Sequence, residues 1–182
     1  MVTEEDIAGI VDVLGAATLA EITAVVREIE FMEGETPTPA EEVEKTCERA
    51  KTRHWLESIG TGEIMGMEPD DAEYFIPGPD AFPGYAPKLS EVLDILGLEK
   101  REPDRERVIR KFSRRLKMRV TWLSNRIGEQ PADSETLKKL GEHYDDLLNL
   151  FYDYDSWIPG AFSALEEEVL ALGSRLENLR EG

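Results

Sequence analysis

Cys47, His54 and His143 are the side chains of this 182-residue sequence best suited to nucleophilic or metal-ligating chemistry, and their spacing gives them little to work with. One thiol forms no internal disulfide, which fits a reducing compartment. Two histidines at positions 54 and 143 make no paired-histidine metal motif. Gly60-Thr61-Gly62 lacks the lysine and the following helix that a phosphate-binding loop requires, and no G-x-S-x-G elbow occurs. Asp153 and Asp155, in the run YDDLLNLFYDYDSW, could hold a cation, but the spacing fails the calcium-loop template at its later positions. A solvated acidic face beside packed aromatic rings accounts for that run better. His143 and Asp146 share a helix face at the spacing of a surface ion pair. The expectation is a protein that is not an enzyme, with no catalytic residue, no resident metal and no cofactor.

Charge offers more. The chain has 39 acidic and 21 basic residues, a net charge of -18, and ten of the basic residues are gathered in two places. From Asp104 to Ile127, at 3.6 residues per turn, Ile109, Phe112, Leu116, Val120, Leu123 and Ile127 fall on one stripe. Arg107, Arg110, Lys111, Arg114, Arg115 and Lys117 fall on the opposite arc. Lys45, Arg49, Lys51 and Arg53 form the second group, on a helix that opens with Glu41, Glu42 and Glu44. Such cations answer an anion: the phosphates of double-stranded DNA, an acidic protein partner, or the chain's own carboxylates around Glu142 to Asp153 and Glu166 to Glu168. Docking by the N-terminal residues of a recognition helix is disfavoured where those residues are glutamates, although the lysines and arginines further along could still reach the DNA backbone.

The elements that position these charges can be read in order. Thr3 and Asp6 start a helix that Gly15 ends, and Thr18 and Glu21 stand at the spacing of a capping box for a second, whose inner face is Leu19, Ile22, Val25, Val26 and Ile29. After the loop GETPTP, Thr38 as cap, Pro39 at the first helical position and Glu41 closing the box predict a third helix to about Leu56. Its inward stripe is Ala40, Val43, Cys47, Ala50 and His54, which makes Cys47 a buried thiol and His54 a hydrogen-bonded core histidine. Two strands, Glu63 to Met67 and Glu73 to Pro77, flank the turn-rich Glu68-Pro69-Asp70-Asp71. Three helices followed by a hairpin is the order of a winged helix.

Residues 77 to 88, PGPDAFPGYAPK, are too rich in proline and glycine for a helix or central strand, and Phe82 and Tyr85 predict an ordered connector that packs. Ser90 caps a short helix that Gly97 stops. The long basic helix is ended by Gly128 and Pro131. Leu137, Leu140, Tyr144, Leu147, Leu148 and Phe151 then line the next helix. Past the break at Trp157 to Gly160, the residues Phe162, Leu165, Val169, Leu172, Leu176 and Leu179 alternate steps of three and four, as in a coiled-coil seam. That regularity predicts packing along another helix, within the chain or in a homodimer.

No apolar run approaches the roughly 20 residues that span a bilayer, and the start MVTEEDIAG is acidic where a secretory signal is positive, so a cytoplasmic location with no membrane partner is expected. Excess acid and arginine outnumbering lysine fit either adaptation to high salt or an ordinary acidic protein. The run Tyr74 to Pro83, the Leu93-Asp94-Ile95 step before Pro103-Asp104-Arg105, and Tyr152 to Trp157 resemble a small family of uncharacterised proteins from halophilic archaea. The resemblance implies a cytoplasmic protein living in molar salt and supplies no activity. The chain departs from that pattern in its longer, more basic helix at 104 to 127.

The expected fold is mostly α: a winged-helix-like domain with a small β-hairpin at 1 to 80, a Pro-rich connector and short helix at 81 to 102, and a helical bundle or hairpin at 103 to 182. The expected function is a non-enzymatic DNA-binding or DNA-associated regulatory role. The alternative is a protein-interaction or scaffold module that self-associates through its C-terminal helices.

Overall fold

A computed structural model describes residues 2–68, 70–129 and 133–181. The chain is mostly helical with one small antiparallel sheet, and it divides into two compact units, Met1–Val108 and Ile109–Gly182. Pro69 of the expected turn and Pro131 beyond the long helix lie outside the described residues.

In the first unit, α1 (Glu4–Leu14) and α2 (Leu19–Glu33) begin as the local sequence dictates. Thr3 and Asp6, and Thr18 and Glu21, close reciprocal capping boxes that satisfy amides left free at each helix start. Burial pushes the Glu21 carboxyl up, but the Arg101 guanidinium at 2.6 Å and the Thr18 amide together hold it below the ordinary glutamate range.

The start of α3 (Ala40–Thr52) corrects an expectation. Thr38 does not cap it. Its amide donates to the Glu30 carboxylate at 2.7 Å and its hydroxyl donates to the other oxygen of the same group, while the helix begins after Pro39 with no side-chain cap. A buried carboxylate eight residues upstream thus takes the side chain that could have capped the helix, and the Glu42 amide donates to the Pro39 carbonyl instead. The helix also stops at Thr52 rather than near Leu56, and Ala40 is exposed. Val43, Cys47 and Ala50 are buried as expected, joined by Thr46. His54 has left the helix: it adopts a positive φ of 56° and places Nδ1 2.7 Å from the buried Glu57 carboxylate.

The sheet corrects a second expectation. The strand at Glu63 to Met67 does not form; β1 is Leu56–Gly60, paired antiparallel with β2, Glu73–Pro77, in the register Leu56 to Pro77 and Gly60 to Glu73. Thr61–Glu63 is instead a single 3-10 turn, fixed by the Glu63 carboxylate accepting from the Gly60 amide at 2.7 Å. Ala17, between α1 and α2, exchanges two backbone hydrogen bonds with Phe75 at 3.0 and 2.8 Å, so β2 is paired on both edges.

The connector is held by its backbone and by one phenol hydroxyl, and not by burial of its aromatic rings. Phe82 and Tyr85 are exposed, against expectation, and the Tyr85 hydroxyl donates to Asp12 at 2.7 Å. That acceptor raises the phenol above its ordinary value. Gly78 donates to Trp55, and Gly84 to Glu5, both through the main chain. A Cβ on Gly9 would overlap the Gly84 carbonyl, so glycine in mid-helix lets connector and α1 touch. The following helix, α4 (Leu89–Leu96), has no side-chain cap from Ser90, because it starts at Leu89 with Lys88 in the cap position and Ser90 already inside its first turn; Gly97 ends it as expected. Leu89, Val92 and Leu93 join Ile7, Ile22, Val43, Leu56 and Phe75 in one core, so connector and short helix pack with the head.

The second unit is a three-helix bundle of α5 (Arg105–Gly128, its first four residues counted with the first unit), α6 (Ser134–Trp157) and α7 (Glu166–Glu181). Phe112, Leu116, Val120, Leu123 and Ile127 are buried as the stripe predicts. Val108, and not the half-buried Ile109, is the buried residue one turn before Phe112. Tyr154 is fully buried, with ring centroids 5.2 Å from Phe112 and 5.7 Å from Phe162. Leu165, Val169, Leu172 and Leu176 are buried within the same chain, which accounts for the seam without a second copy. Among the described residues no helix is long and apolar enough to cross a membrane.

Candidate interaction surface

On α3 and at its C-cap, Arg53, every cation singled out from the sequence is engaged by carboxylates. Lys45 pairs with Glu41 at 3.0 Å, one turn back. Arg49 reaches Glu4 at 3.3 Å and Glu42 at 3.9 Å, and Arg53 reaches the other Glu4 oxygen at 2.8 Å. Lys51 lies between Glu48 at 3.0 Å and Glu73 at 3.5 Å, with its ammonium 5.6 Å from the Phe75 ring centre. Burial pushes the Lys51 ammonium down, and the two glutamates more than reverse it, so it stays charged above the ordinary lysine range. The exposed face of α3 thus alternates Glu41, Glu44 and Glu48 with Lys45, Arg49 and Arg53 and has no single sign.

The basic arc of α5 divides. Arg107 is held at its foot, donating to the Gly62 carbonyl at 2.7 Å and pairing with Asp104 at 3.3 Å. Lys117 turns sideways and pairs with Glu168 of α7, one of the acidic neighbours expected from the sequence. Arg115 turns the other way, toward the Tyr154 hydroxyl at 3.4 Å, and Lys111 is half-buried. Arg110 and Arg114 are exposed and have no carboxylate partner among the described residues.

Continuing along the second unit, sequence reasoning missed three residues. Arg119 is exposed and likewise unpaired among the described residues. Met118 is 62% exposed and Trp122 46% exposed. These large apolar side chains occupy the solvent side because the helix period puts them there, and each is out of step with the stripe of Leu116, Val120 and Leu123. That mismatch was the available signal.

Trp122 is also positioned. The His143 ring meets it edge-on at 5.1 Å, and the Arg126 guanidinium lies 5.8 Å from its ring centre. His143 therefore packs on an indole and forms no ion pair with Asp146 among the described residues. Arg119, Trp122, His143 and Asp146 line a notch of about 230 Å³ between α5 and α6. Elsewhere on α6, Asp155 accepts from the Gly160 amide at 3.1 Å. Among the described residues no group of three or more histidine, cysteine, aspartate or glutamate side chains is arranged to hold a metal ion.

Chemically, the surface offers guanidinium donors, unpaired among the described residues, beside a supported indole and a flexible thioether. It can neutralise carboxylates and bury aliphatic side chains at once. The chain belongs to a family of unknown function, DUF7109, whose model matches residues 5–173. No curated protein and no solved structure matches it.

Proposed function

We propose that this chain is a non-enzymatic protein-interaction module that docks an acidic protein partner on the solvent face of α5 in the second unit. One observation carries this: Arg110, Arg114 and Arg119 lack carboxylate partners among the described residues and flank exposed Met118 and Trp122, whereas the cations of α3 are all paired. Arginine, tryptophan and methionine are the residues enriched where proteins bind proteins, with arginine and tryptophan prominent among the side chains that dominate binding energy.

The acidic composition, with its net charge of -18, supports a working place in the cytoplasm of a cell living in high salt. There the screening length falls to about 3 Å, so docking would rest on contact hydrogen bonds from arginine and on burial of Trp122 and Met118.

Double-stranded DNA is the second candidate partner. The order α1, α2, α3, β1, β2, with Ala17 supplying a third pairing to Phe75, is that of a winged helix and favours it. Against it, the first turn of α3 carries Glu41 and Glu42, and its cations are neutralised.

The test is a titration of the intact protein with an amphipathic helical peptide bearing glutamate and leucine one turn apart, and separately with duplex DNA, at about 0.1 M and about 1 M salt. The triple substitution Arg110→Glu, Arg114→Glu and Arg119→Glu, with Trp122→Ala as a second variant, is expected to weaken peptide binding by about tenfold or more. Peptide binding that is absent, or indifferent to both variants, overturns the proposal. Duplex binding lost in the arginine variant would establish DNA instead.

A further inference from the structure

The second unit carries, on a different helix, a surface of the kind its arginine face would bind. On α7, Leu170 is 45% exposed although Val169 and Leu172 beside it are buried. Glu166 precedes it by four residues and Glu177 follows it by seven, so the three lie on one stripe of the helix. Both glutamates are exposed, and neither has a cation partner among the described residues. Glu168, by contrast, is taken by Lys117 of α5.

The solvent face of α5 repeats this spacing with opposite charge and in the opposite direction. Trp122 follows Arg114 by eight residues and precedes Arg126 by four. At 1.5 Å per residue, the indole stands about 12 Å and about 6 Å along the axis from its two cations, and Leu170 stands about 10.5 Å and about 6 Å from its two anions. The longer arm is N-terminal on α5 and C-terminal on α7. Only an antiparallel approach therefore brings Arg114 to Glu177 and Arg126 to Glu166 while Leu170 meets Trp122. Arg126 reaches Glu129 at 3.5 Å, an exposed pair that costs little to exchange.

We propose, resting on the docking role of the α5 face, that its acidic partner is a second copy of this chain, which lays α7 antiparallel across it. Leu170 then buries against Trp122 and Met118, and the two glutamates accept from guanidinium groups at either side. Each copy has a net charge of -18, so their approach is opposed at low salt and permitted once that repulsion is screened.

Sedimentation equilibrium of the intact protein at about 1 M salt, from about 10 to about 500 µM, is expected to show concentration-dependent self-association. Two charge-swapped proteins test its geometry: one carries Arg114→Glu and Arg126→Glu, the other Glu166→Lys and Glu177→Lys. Each alone is expected to associate about tenfold or more weakly, because like charges then face one another across the contact. A mixture of the two is expected to recover the wild-type strength, since both contacts between unlike copies are complementary again, and helical circular dichroism checks that each variant keeps its fold. A wild-type protein that stays monomeric overturns the proposal, as does a mixture of folded variants that associates no better than its components. If the acidic peptide still binds the wild-type protein in either case, docking on α5 stands and only the identity of the partner falls; absence of peptide binding as well removes both.

Discussion

Cys47 shows how far a single side chain's chemistry is set by where the chain puts it. It is 1% exposed in the core of the first unit, and burial, with Glu48 adding to it, pushes its thiol up to about 12. Because the thiolate is the reactive form, native protein at mildly alkaline pH is expected to resist a thiol reagent and to label only as fast as it unfolds. Rapid labelling without denaturant would show that α3 opens locally. The inward position of Cys47 was legible because it depends on helical period alone. His54, assigned to the same stripe, was not, since its place follows from a buried glutamate three residues on and a chain reversal that periodicity does not describe. The docking arginines divide in the same way. Sequence gathers Arg107, Arg110, Lys111, Arg114, Arg115 and Lys117 on one arc, but which of them find internal partners depends on Gly62, Glu168 and Tyr154, brought close only by folding.

Among the elements, helix starts written within four residues were legible and those decided at a distance were not. Thr3 and Asp6 keep their box, and Thr18 and Glu21 keep theirs although Glu21 also accepts from Arg101, whereas Thr38 is taken by Glu30. The strand at Glu63 to Met67 looked plausible because Ile64, Met65 and Met67 alternate loosely. The true partner of β2, Leu56–Gly60, was hidden because Leu56 and Glu57 are both buried, which breaks the alternation of a one-sided strand. The contact between α1 and the connector invites a test whose sign is informative. In an unconstrained helix interior, glycine to alanine stabilises by up to about 1 kcal/mol. Gly9→Ala is instead expected to destabilise by about 1–3 kcal/mol, because the new methyl meets the Gly84 carbonyl and forces the connector away. A urea midpoint that rises in this variant would remove the close approach from the account of the fold.

At the scale of the whole molecule, the excess of negative charge outweighs the ion pairs that the structure makes. Pairs such as Lys45 with Glu41, or Lys117 with Glu168, are solvent-exposed, and such contacts contribute about 0–1 kcal/mol each. Self-repulsion among 39 acidic residues acts over longer distances and is relieved by salt. The thermal midpoint is therefore expected to rise as sodium chloride goes from about 0.1 M to about 1 M, with potassium chloride acting alike, as the screening length shrinks from about 10 Å to about 3 Å. A midpoint that falls would mean that the pairs matter more than the repulsion. Family membership covers nearly the whole chain, so both units belong to what that family is.

The backbone pairing of Ala17 with Phe75 bears on how the protein is made. A residue near the start of the chain waits for one 58 positions later, and the core they share is completed only by Leu89, Val92 and Leu93. During synthesis the first three helices leave the ribosome with an apolar face and nothing yet to cover it. The N-terminal half of the nascent polypeptide is thus the part that most needs shelter from aggregation, although it is the first to emerge.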